Sequence, residues 1–124
     1  LLNKNGQDSW CEMKTFRVLD GVFPEAVTAC DGYIVTGSAA GVYEHHDWMA
    51  PLMAFLAHAH AAAVPLLGIC FGHQAIAQAL GGEVKKWPAG WGVGVRKAEI
   101  CAKTDARPTF LAEATDDFSL IYFQ

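Results

Sequence analysis

The sequence predicts an α/β fold with a mostly parallel sheet, and three consecutive segments carry that prediction. Residues 65–70 are apolar on both sides of a period-2 pattern, as expected of a strand buried on both faces of a parallel sheet. Residues 33–35 form a second short apolar run of buried-strand type, and residues 47–63 between the two runs are alanine-rich. Strand, helix and strand in this order make a βαβ unit with a right-handed crossover, so the strands should lie parallel.

The central helix of this unit is expected from Asp47 to about Ala63. Asp47 is a reasonable N-cap, and Pro51 falls in the first turn, where a missing N–H costs little. Alanine supplies helix propensity, and larger apolar residues recur at helical spacing. The predicted apolar stripe consists of Trp48, Leu52, Phe55, Leu56 and Ala59.

Shorter elements are predicted on both sides of this unit. Alternation over residues 14–20 predicts a strand, ended by Asp20-Gly21 and Pro24, and residues 25–30 are long enough for one helical turn. Further strands are expected at 83–86, 93–100 and 120–123, with a loop at 87–92 and a short helix at 108–114.

Composition excludes several classes of function. The 124 residues are 52% hydrophobic, which suits one domain with a core, and the net charge of −4 comes without a basic cluster. Nucleic acid is therefore not an expected partner, and no apolar run is long enough to cross a membrane. No cofactor is expected. The four cysteines are scattered without a CxxC motif, which is typical of reduced thiols in a cytoplasmic protein and not of a disulfide framework or zinc site: Cys11, Cys30, Cys70 and Cys101.

Cys70 stands where the second strand passes into a helix. Gly68 and Gly72, two residues before and after it, allow the tight backbone turn that points a nucleophile outward. The free N–H groups at the helix start stabilise a thiolate, and the N–H of Phe71 is placed to receive an oxyanion. A lone cysteine is more often buried and inert. The two glycines and the strand-to-helix switch favour a nucleophile here.

The helix after Cys70 is predicted from its spacing. Ile76, Ala79 and Leu80 recur three and four residues apart, and Gly81-Gly82 should end the helix.

Two segments carry a resemblance to a known family. The sequence GICFGHQAIAQALGG at 68–82 resembles the nucleophile segment of class I, triad-type glutamine amidotransferases, and most of all the stand-alone GMP synthase-like proteins. The sequence DGYIVTGS at 31–38, followed by VYE at 42–44, resembles the strand and loop that supply the rest of the family's oxyanion hole. The resemblance runs from about Phe16 to about Gly94. It implies a flavodoxin-like, three-layer α/β/α fold.

The resemblance also implies an activity. The Cys70 thiolate would attack the side-chain amide of L-glutamine, and a cysteine thioester would then be hydrolysed to glutamate. The N–H of Phe71 and one from Gly37 or Ser38 would hold the oxyanion, and Gln74 matches a contact to bound glutamine. The ammonia would pass to an acceptor on a synthetase domain or subunit.

The loop at 36–42 departs from the family's common pattern. Glycine is usual at the position of Ser38, proline at Ala39 and serine at Gly41. Ser38 still has a backbone N–H to offer, so the oxyanion hole is retained in principle. The departures put the local backbone conformation and the choice of substrate in question.

The chain reads as a partial amidotransferase domain over residues 1–124. The family's first strand would precede Leu1, and its catalytic His-x-Glu pair would follow Gln124, since no position here matches that pair. The strand-to-helix turn at Cys70 is called the elbow here. His73 is a poor substitute for the missing histidine, because helix side chains just after the elbow face away from the nucleophile. A site on this chain alone would be incomplete, and uncovered sheet edges would favour homo-oligomers.

Three alternatives share the elbow and the fold. A γ-glutamyl peptide hydrolase would use a larger pocket. A non-catalytic module would bind glutamine or a partner without turnover. A redox-active thiol would need an acidic side chain on a neighbouring strand, and the strand around Tyr33 offers no clear candidate. A metal site at His45, His46 and Asp47 is much less favoured than an exposed polar loop.

Overall fold

The structure, a computed structural model, describes residues 12–88, 90, 92–99 and 117–123. The chain divides into two compact units, Leu1–Lys86 and Trp87–Gln124. The predicted helix at 108–114 lies outside the described residues. The first unit contains a one-turn 3₁₀ helix at Val18–Asp20, strand β1 at Tyr33–Val35, helix α1 at Met49–Ala61, strand β2 at Leu66–Gly68 and helix α2 at Phe71–Ala79, and the second contains strands β3 at Val93–Glu99 and β4 at Asp117–Phe123.

Strands β1 and β2 pair in parallel, which confirms the predicted βαβ arrangement. Their register places Tyr33 opposite Leu66 and Val35 opposite Gly68. The N–H of Ile69 donates to the carbonyl of Val35 at 2.8 Å, which continues the pairing one residue past β2. The parallel pair therefore brings the residues after Val35 to the same sheet edge as the residues after Gly68.

The core lies on one face of this sheet, where α1 and α2 meet. Leu56 is fully buried, and Ala59 of the predicted stripe is buried as well. Trp48 and Phe55 pack against the core from its edge. The stripe predicted for α1 is thus confirmed, with Met49 as a buried member that the spacing did not predict. The buried cluster consists of Val42, Met49, Leu52, Leu56, Phe71 and Ala75, and Val35 and Leu66 pack onto it from the sheet.

The opposite face of the sheet is apolar but open. Ile34, Leu67 and Ile69 are 55%, 51% and 53% exposed. Successive strand residues point to opposite faces, and both helices pack on the other side. The prediction of strands buried on both faces is therefore wrong for the described part of the chain, which has no layer over these three side chains.

The ends of α1 differ from the prediction. The N-cap is Trp48, and it makes no side-chain cap hydrogen bond, so the prediction of Asp47 as the cap is wrong. Pro51 lies in the first turn, as predicted. At the other end the helix stops at Ala61, two residues early, because Ala63 adopts a left-handed φ of 56°. The N–H of Val64 then donates to the carbonyl of Ala59 at 2.9 Å and turns the chain toward β2.

The prediction of a strand at residues 14–20 is wrong. The chain forms the 3₁₀ turn there instead, and Gly21 caps it in a left-handed conformation with a φ of 73°. The carbonyl of Arg17 accepts from the N–H groups of Asp20 and Val22, and the two side chains of Arg17 and Asp20 pair at 2.8 Å. Local hydrogen bonds of the Asp20-Gly21 turn therefore form in place of the strand that the alternating pattern predicted.

The predictions for residues 25–30, for residues 83–86 and for the loop that follows have different outcomes. Residues 25–30 form a turn with one hydrogen bond, from Ala29 N–H to the Ala26 carbonyl at 3.1 Å, and no helix. The strand predicted at 83–86 is wrong, because the N–H of Val84 is taken by the side chain of Gln78 at 3.0 Å. The loop around residue 88 is confirmed at its described positions.

In the second unit, β3 and β4 pair antiparallel. The register runs from Val93 opposite Phe123 to Glu99 opposite Asp117. Both predicted strands are confirmed. The second one begins three residues before the predicted start, because Asp117 and Ser119 on either side of Phe118 interrupt the apolar run there.

The turn from β2 into α2 is made by Cys70 in an unusual backbone conformation. Its φ is 53° and its ψ is −111°, values that a residue with a Cβ adopts only under strain. Helix α2 then runs to the C-cap Leu80, and Gly81 ends it with a φ of 89°, as predicted. Of the residues whose spacing predicted this helix, Ile76 packs on the core and Leu80 is exposed.

We expect Leu56→Ala to lower the free energy of unfolding by about 2–5 kcal/mol, because it leaves a cavity at a fully buried position. Leu19→Ala is the matched control. Leu19 is 62% exposed, so the same substitution should change stability by no more than about 0.5 kcal/mol. Urea denaturation followed by circular dichroism measures both. Equal losses would contradict the placement of the core.

Cys70→Gly should be more stable than Cys70→Ala by about 1 kcal/mol, because glycine relieves the strained φ and ψ whereas alanine keeps the Cβ. The same pair of substitutions at Cys30, whose φ is not positive, should show the reverse order. The free energies of unfolding of the four variants decide the point. A Cys70→Gly variant less stable than Cys70→Ala would show that the turn is not strained.

Candidate active site

The two glycines beside Cys70 are required by close packing. A Cβ on Gly72 would overlap the carbonyl oxygen of Val35 in β1, and a Cβ on Gly68 would overlap the backbone of Gly72 and His73. Neither obstacle is a flexible side chain, so no rotamer change relieves it. The start of α2 is therefore pressed against both strands, and the turn at Cys70 is held in place.

The Cys70 thiol lies at the surface, at the N-cap of the nine-residue helix α2. It is a free thiol and exposed, which does not fit the buried, inert cysteine considered as an alternative. The N–H of Gly72 donates to the carbonyl of Ile69 at 2.9 Å, whereas no backbone carbonyl among the described residues accepts from Phe71. A free amide donor thus lies next to the sulfur, at the positive end of a helix.

The loop after β1 approaches the same sulfur. A Cβ built on Gly37 would lie 3.8 Å from the Cβ of Cys70, so the loop passes close to the Cys70 side chain. The Oγ of Ser38 accepts from the N–H of Ala40 at 3.1 Å and closes a local turn. In the described part of the chain no backbone carbonyl accepts from the N–H of Gly37 or Ser38. The parallel register therefore brings two stretches over thirty residues apart to one point.

Gln74 lies one helical turn beyond Cys70, and its N–H donates to the Cys70 carbonyl at 3.3 Å. Its side chain is half-buried, whereas His73, next to it, is exposed. Of the residues predicted for the site, the structure therefore clusters Cys70 and Phe71 with the loop at Gly37, and places Gln74 on the first turn of the same helix.

The glycine at position 41 makes room for an aromatic ring. A Cβ on Gly41 would come within 2.6 Å of the ring of Tyr43, which folds back over the loop. A serine here, as in the common family pattern, would need the ring to move. The departure at Gly41 is thus coupled to the position of Tyr43.

Cys30, the second described thiol, lies in different surroundings. It is half-buried and lines a cavity of about 370 Å³ with Phe16 and Phe23. The pKa of the nearby Tyr33 hydroxyl is raised, first by burial and then by the neighbouring Cys30. This cysteine is not at a helix start, so it serves as an internal comparison for Cys70.

A contact chain that the sequence did not predict joins the loop to the elbow. The imidazole of His46 bonds to the carboxylate of Glu44 at 3.1 Å and stacks on Trp48 with a centroid distance of 5.3 Å. Trp48 in turn packs edge-on against Phe71, 5.8 Å between ring centroids. The sequence placed His46 in an exposed loop and Trp48 in a helix stripe. Sequence spacing cannot predict that His46, in a loop, is connected through Trp48 to Phe71, the first residue of a different helix.

Among the described residues no group of three or more metal-binding side chains clusters. None of the helices in the described ranges combines the length and apolar character needed to cross a membrane.

Residues 8–114 match the family described as glutamine amidotransferase class-I. Gamma-glutamyl peptidase 5 of Arabidopsis thaliana is 34% identical over 93 residues, which cover 73% of this chain and 36% of that protein. A glutamine-hydrolysing GMP synthase of Aromatoleum aromaticum is 40% identical over 79 residues, which cover 64% of this chain and 14% of the synthase. The chain thus spans only a part of each relative.

The fold has a solved counterpart. The crystal structure of a glutamine amido transferase from Methylobacillus flagellatus superposes with a TM-score of 0.65 at 28% identity, covering 82% of this chain and 40% of that one. This match confirms the flavodoxin-like α/β fold class predicted from the sequence. With most of its length matched, the chain belongs to the class I glutamine amidotransferase family.

Proposed function

We propose that this chain supplies the nucleophile and the oxyanion donors of a site that hydrolyses the side-chain amide of L-glutamine. The observation that carries the proposal is the approach of Gly37 to the side chain of Cys70, an exposed thiol flanked by amide groups that have no backbone acceptor among the described residues. Family membership supports amide hydrolysis as the reaction class.

In the proposed reaction, the Cys70 thiolate attacks the carboxamide carbon, and the carbonyl oxygen becomes an oxyanion. The N–H of Phe71 and one from Gly37 or Ser38 donate to that oxygen. The C–N bond breaks, the nitrogen leaves as ammonia after receiving a proton, and a thioester to Cys70 remains. Water then cleaves the C–S bond, giving glutamate and the free thiol.

The proton transfers need a general base, which in this family is a histidine oriented by a carboxylate. No position of the chain matches that pair, so the proposal assigns to this chain only the attack on the amide and the stabilisation of the oxyanion. Gln74, half-buried one turn after the nucleophile, is the proposed contact to the bound glutamine. No metal or cofactor takes part in the proposed scheme.

The ammonia acceptor is proposed to be a synthetase domain or subunit, as the match to GMP synthases suggests. Self-association into homo-oligomers is proposed from the open apolar face at Ile34, Leu67 and Ile69. A cytoplasmic location agrees with free thiols at Cys30 and Cys70.

A second candidate is the hydrolysis of γ-glutamyl peptides, which share the γ-carbonyl group with glutamine. Four gamma-glutamyl peptidases of Arabidopsis thaliana match, at 33–38% identity over 58–73% of this chain. The exposed thiol and the altered loop at Gly41 are compatible with a bulkier leaving group. Within the described ranges no acidic side chain forms a hydrogen bond with Cys70, so a redox thiol is not supported.

A chloromethyl ketone analogue of glutamine should label Cys70 at least about tenfold faster than Cys30, because Cys70, unlike Cys30, is exposed and lies at a helix start. L-glutamine should slow the labelling of Cys70 alone. Mass spectrometry of labelled peptides gives both rates. The Cys30→Ala variant is the control and should be labelled like the parent chain. Equal labelling of the two thiols, without protection by glutamine, would contradict the proposal.

The two candidate substrates can be separated by competition. If glutamine is the substrate, it should protect Cys70 at a lower concentration than a γ-glutamyl dipeptide does. The opposite order would favour the peptidase. Any ammonia release from glutamine by the parent chain above background should be lost in a Cys70→Ala control, and the same release above background by both proteins would exclude Cys70 as the nucleophile.

A further inference from the structure

Three side chains outside the proposed machinery form a continuous link to it. Glu44, His46 and Trp48 lie between the loop after β1 and the first residue of α2, and we call them the Glu44–His46–Trp48 link. Each successive pair is in direct contact, by a hydrogen bond and by ring stacking respectively. The last of them contacts Phe71.

The link touches the loop at Gly41. The N–H of Glu44 donates to the Gly41 carbonyl at 3.0 Å and closes the turn that contains Tyr43. The pKa of the Glu44 carboxyl is lowered, mainly by the hydrogen bond to His46 and next by the backbone N–H of Gly41. Glu44 is therefore connected to the loop through its backbone N–H, and its carboxylate bonds to His46.

The link touches the elbow at Phe71, and this contact is the firmer one. Phe71 is buried, and its ring is packed into the cluster that holds α1 and α2 together. Trp48 is the N-cap of α1, so its position is fixed by the helix that follows. His46 covers the Trp48 ring with planes only 10° apart, and its carbonyl accepts from the N–H of Met49 at 2.9 Å.

We propose that Glu44, His46 and Trp48 are positioning residues that hold the two halves of the oxyanion site at a fixed separation. Trp48 sets Phe71, whose N–H is one donor. Glu44 sets the turn at Gly41, at the end of the loop that carries the other donor. His46 joins the two. The inference rests on the proposed function, and none of the three side chains is assigned a contact with substrate.

This link gives the half-exposed pair of His46 and Glu44 a role other than stabilising the fold. An exposed ion pair contributes little to stability by itself. A donor that is displaced by about 1 Å, however, loses much of its effect on an oxyanion. The expected phenotype is therefore a change in reactivity at Cys70 with little change in folding.

The test compares two reagents for Cys70 in the full chain. Iodoacetamide displaces iodide at the thiolate and needs no oxyanion donor. The chloromethyl ketone analogue of glutamine loses chloride in the same way, but its carbonyl oxygen must sit against the donors. The ratio of the two labelling rates cancels any change in thiolate population, so it reports how well the analogue and its carbonyl oxygen are held at the site.

We expect His46→Gln and Trp48→Leu to lower this ratio by about tenfold, less than the 100- to 1,000-fold typical of removing a donor outright. Glu44→Gln should lower it by a smaller factor, because the amide still bonds to His46. Trp48→Phe, which keeps a ring against Phe71, should recover most of the ratio. His45→Gln is the matched control: the same substitution one residue earlier, outside the stack, should leave the ratio unchanged.

A second measurement does not depend on labelling rates. In a chain labelled with ¹⁵N-phenylalanine, the amide resonance of Phe71 should shift in His46→Gln and stay in place in His45→Gln. Unchanged ratios and an unmoved resonance, with the parent chain still labelled by the analogue, would overturn this inference alone. A parent chain that the analogue does not label at Cys70 would overturn the proposed function and this inference with it.

Discussion

The contact between Gly72 and the carbonyl of Val35 is the constraint from which the rest of the site follows. It presses the first turn of α2 against β1, and this leaves no room for an ordinary turn after β2. Cys70 therefore adopts its positive φ, which directs the thiol outward, and the N–H of Phe71 has no backbone acceptor among the described residues. The strain is confined to one residue because packing around Leu56 and Phe71 stabilises both flanks.

The same constraint explains how much of the site could be predicted from the sequence. Glycines two residues before and after a cysteine, at a change from strand to helix pattern, leave few backbone solutions, so the turn at Cys70 was predictable. Parallel pairing of β1 with β2 followed from the long helix between them. Together they bring Gly37 to Cys70, although the two are far apart in the chain.

The errors have physical causes that local patterns do not contain. The segment around Arg17 alternates like a strand, but a turn at Asp20-Gly21 satisfies its backbone at lower entropic cost. The apolar side chains of Ile34 and Leu67 led us to predict that the sheet is buried on both faces, yet only one face of the sheet carries helices in the described ranges. The stack of His46 on Trp48 depends on how a loop meets a helix, and periodicity carries no information on such a meeting.

The central claim is that an oxyanion formed at Cys70 lies between the N–H of Phe71 and an N–H of Gly37 or Ser38. An aldehyde analogue of glutamine would form a hemithioacetal with the thiol, and its crystal structure locates that oxygen directly. We expect that oxygen about 2.7–3.1 Å from the nitrogen of Phe71 and from one of the two loop nitrogens. An adduct whose oxygen points to solvent, or one formed at Cys30 instead, would contradict it.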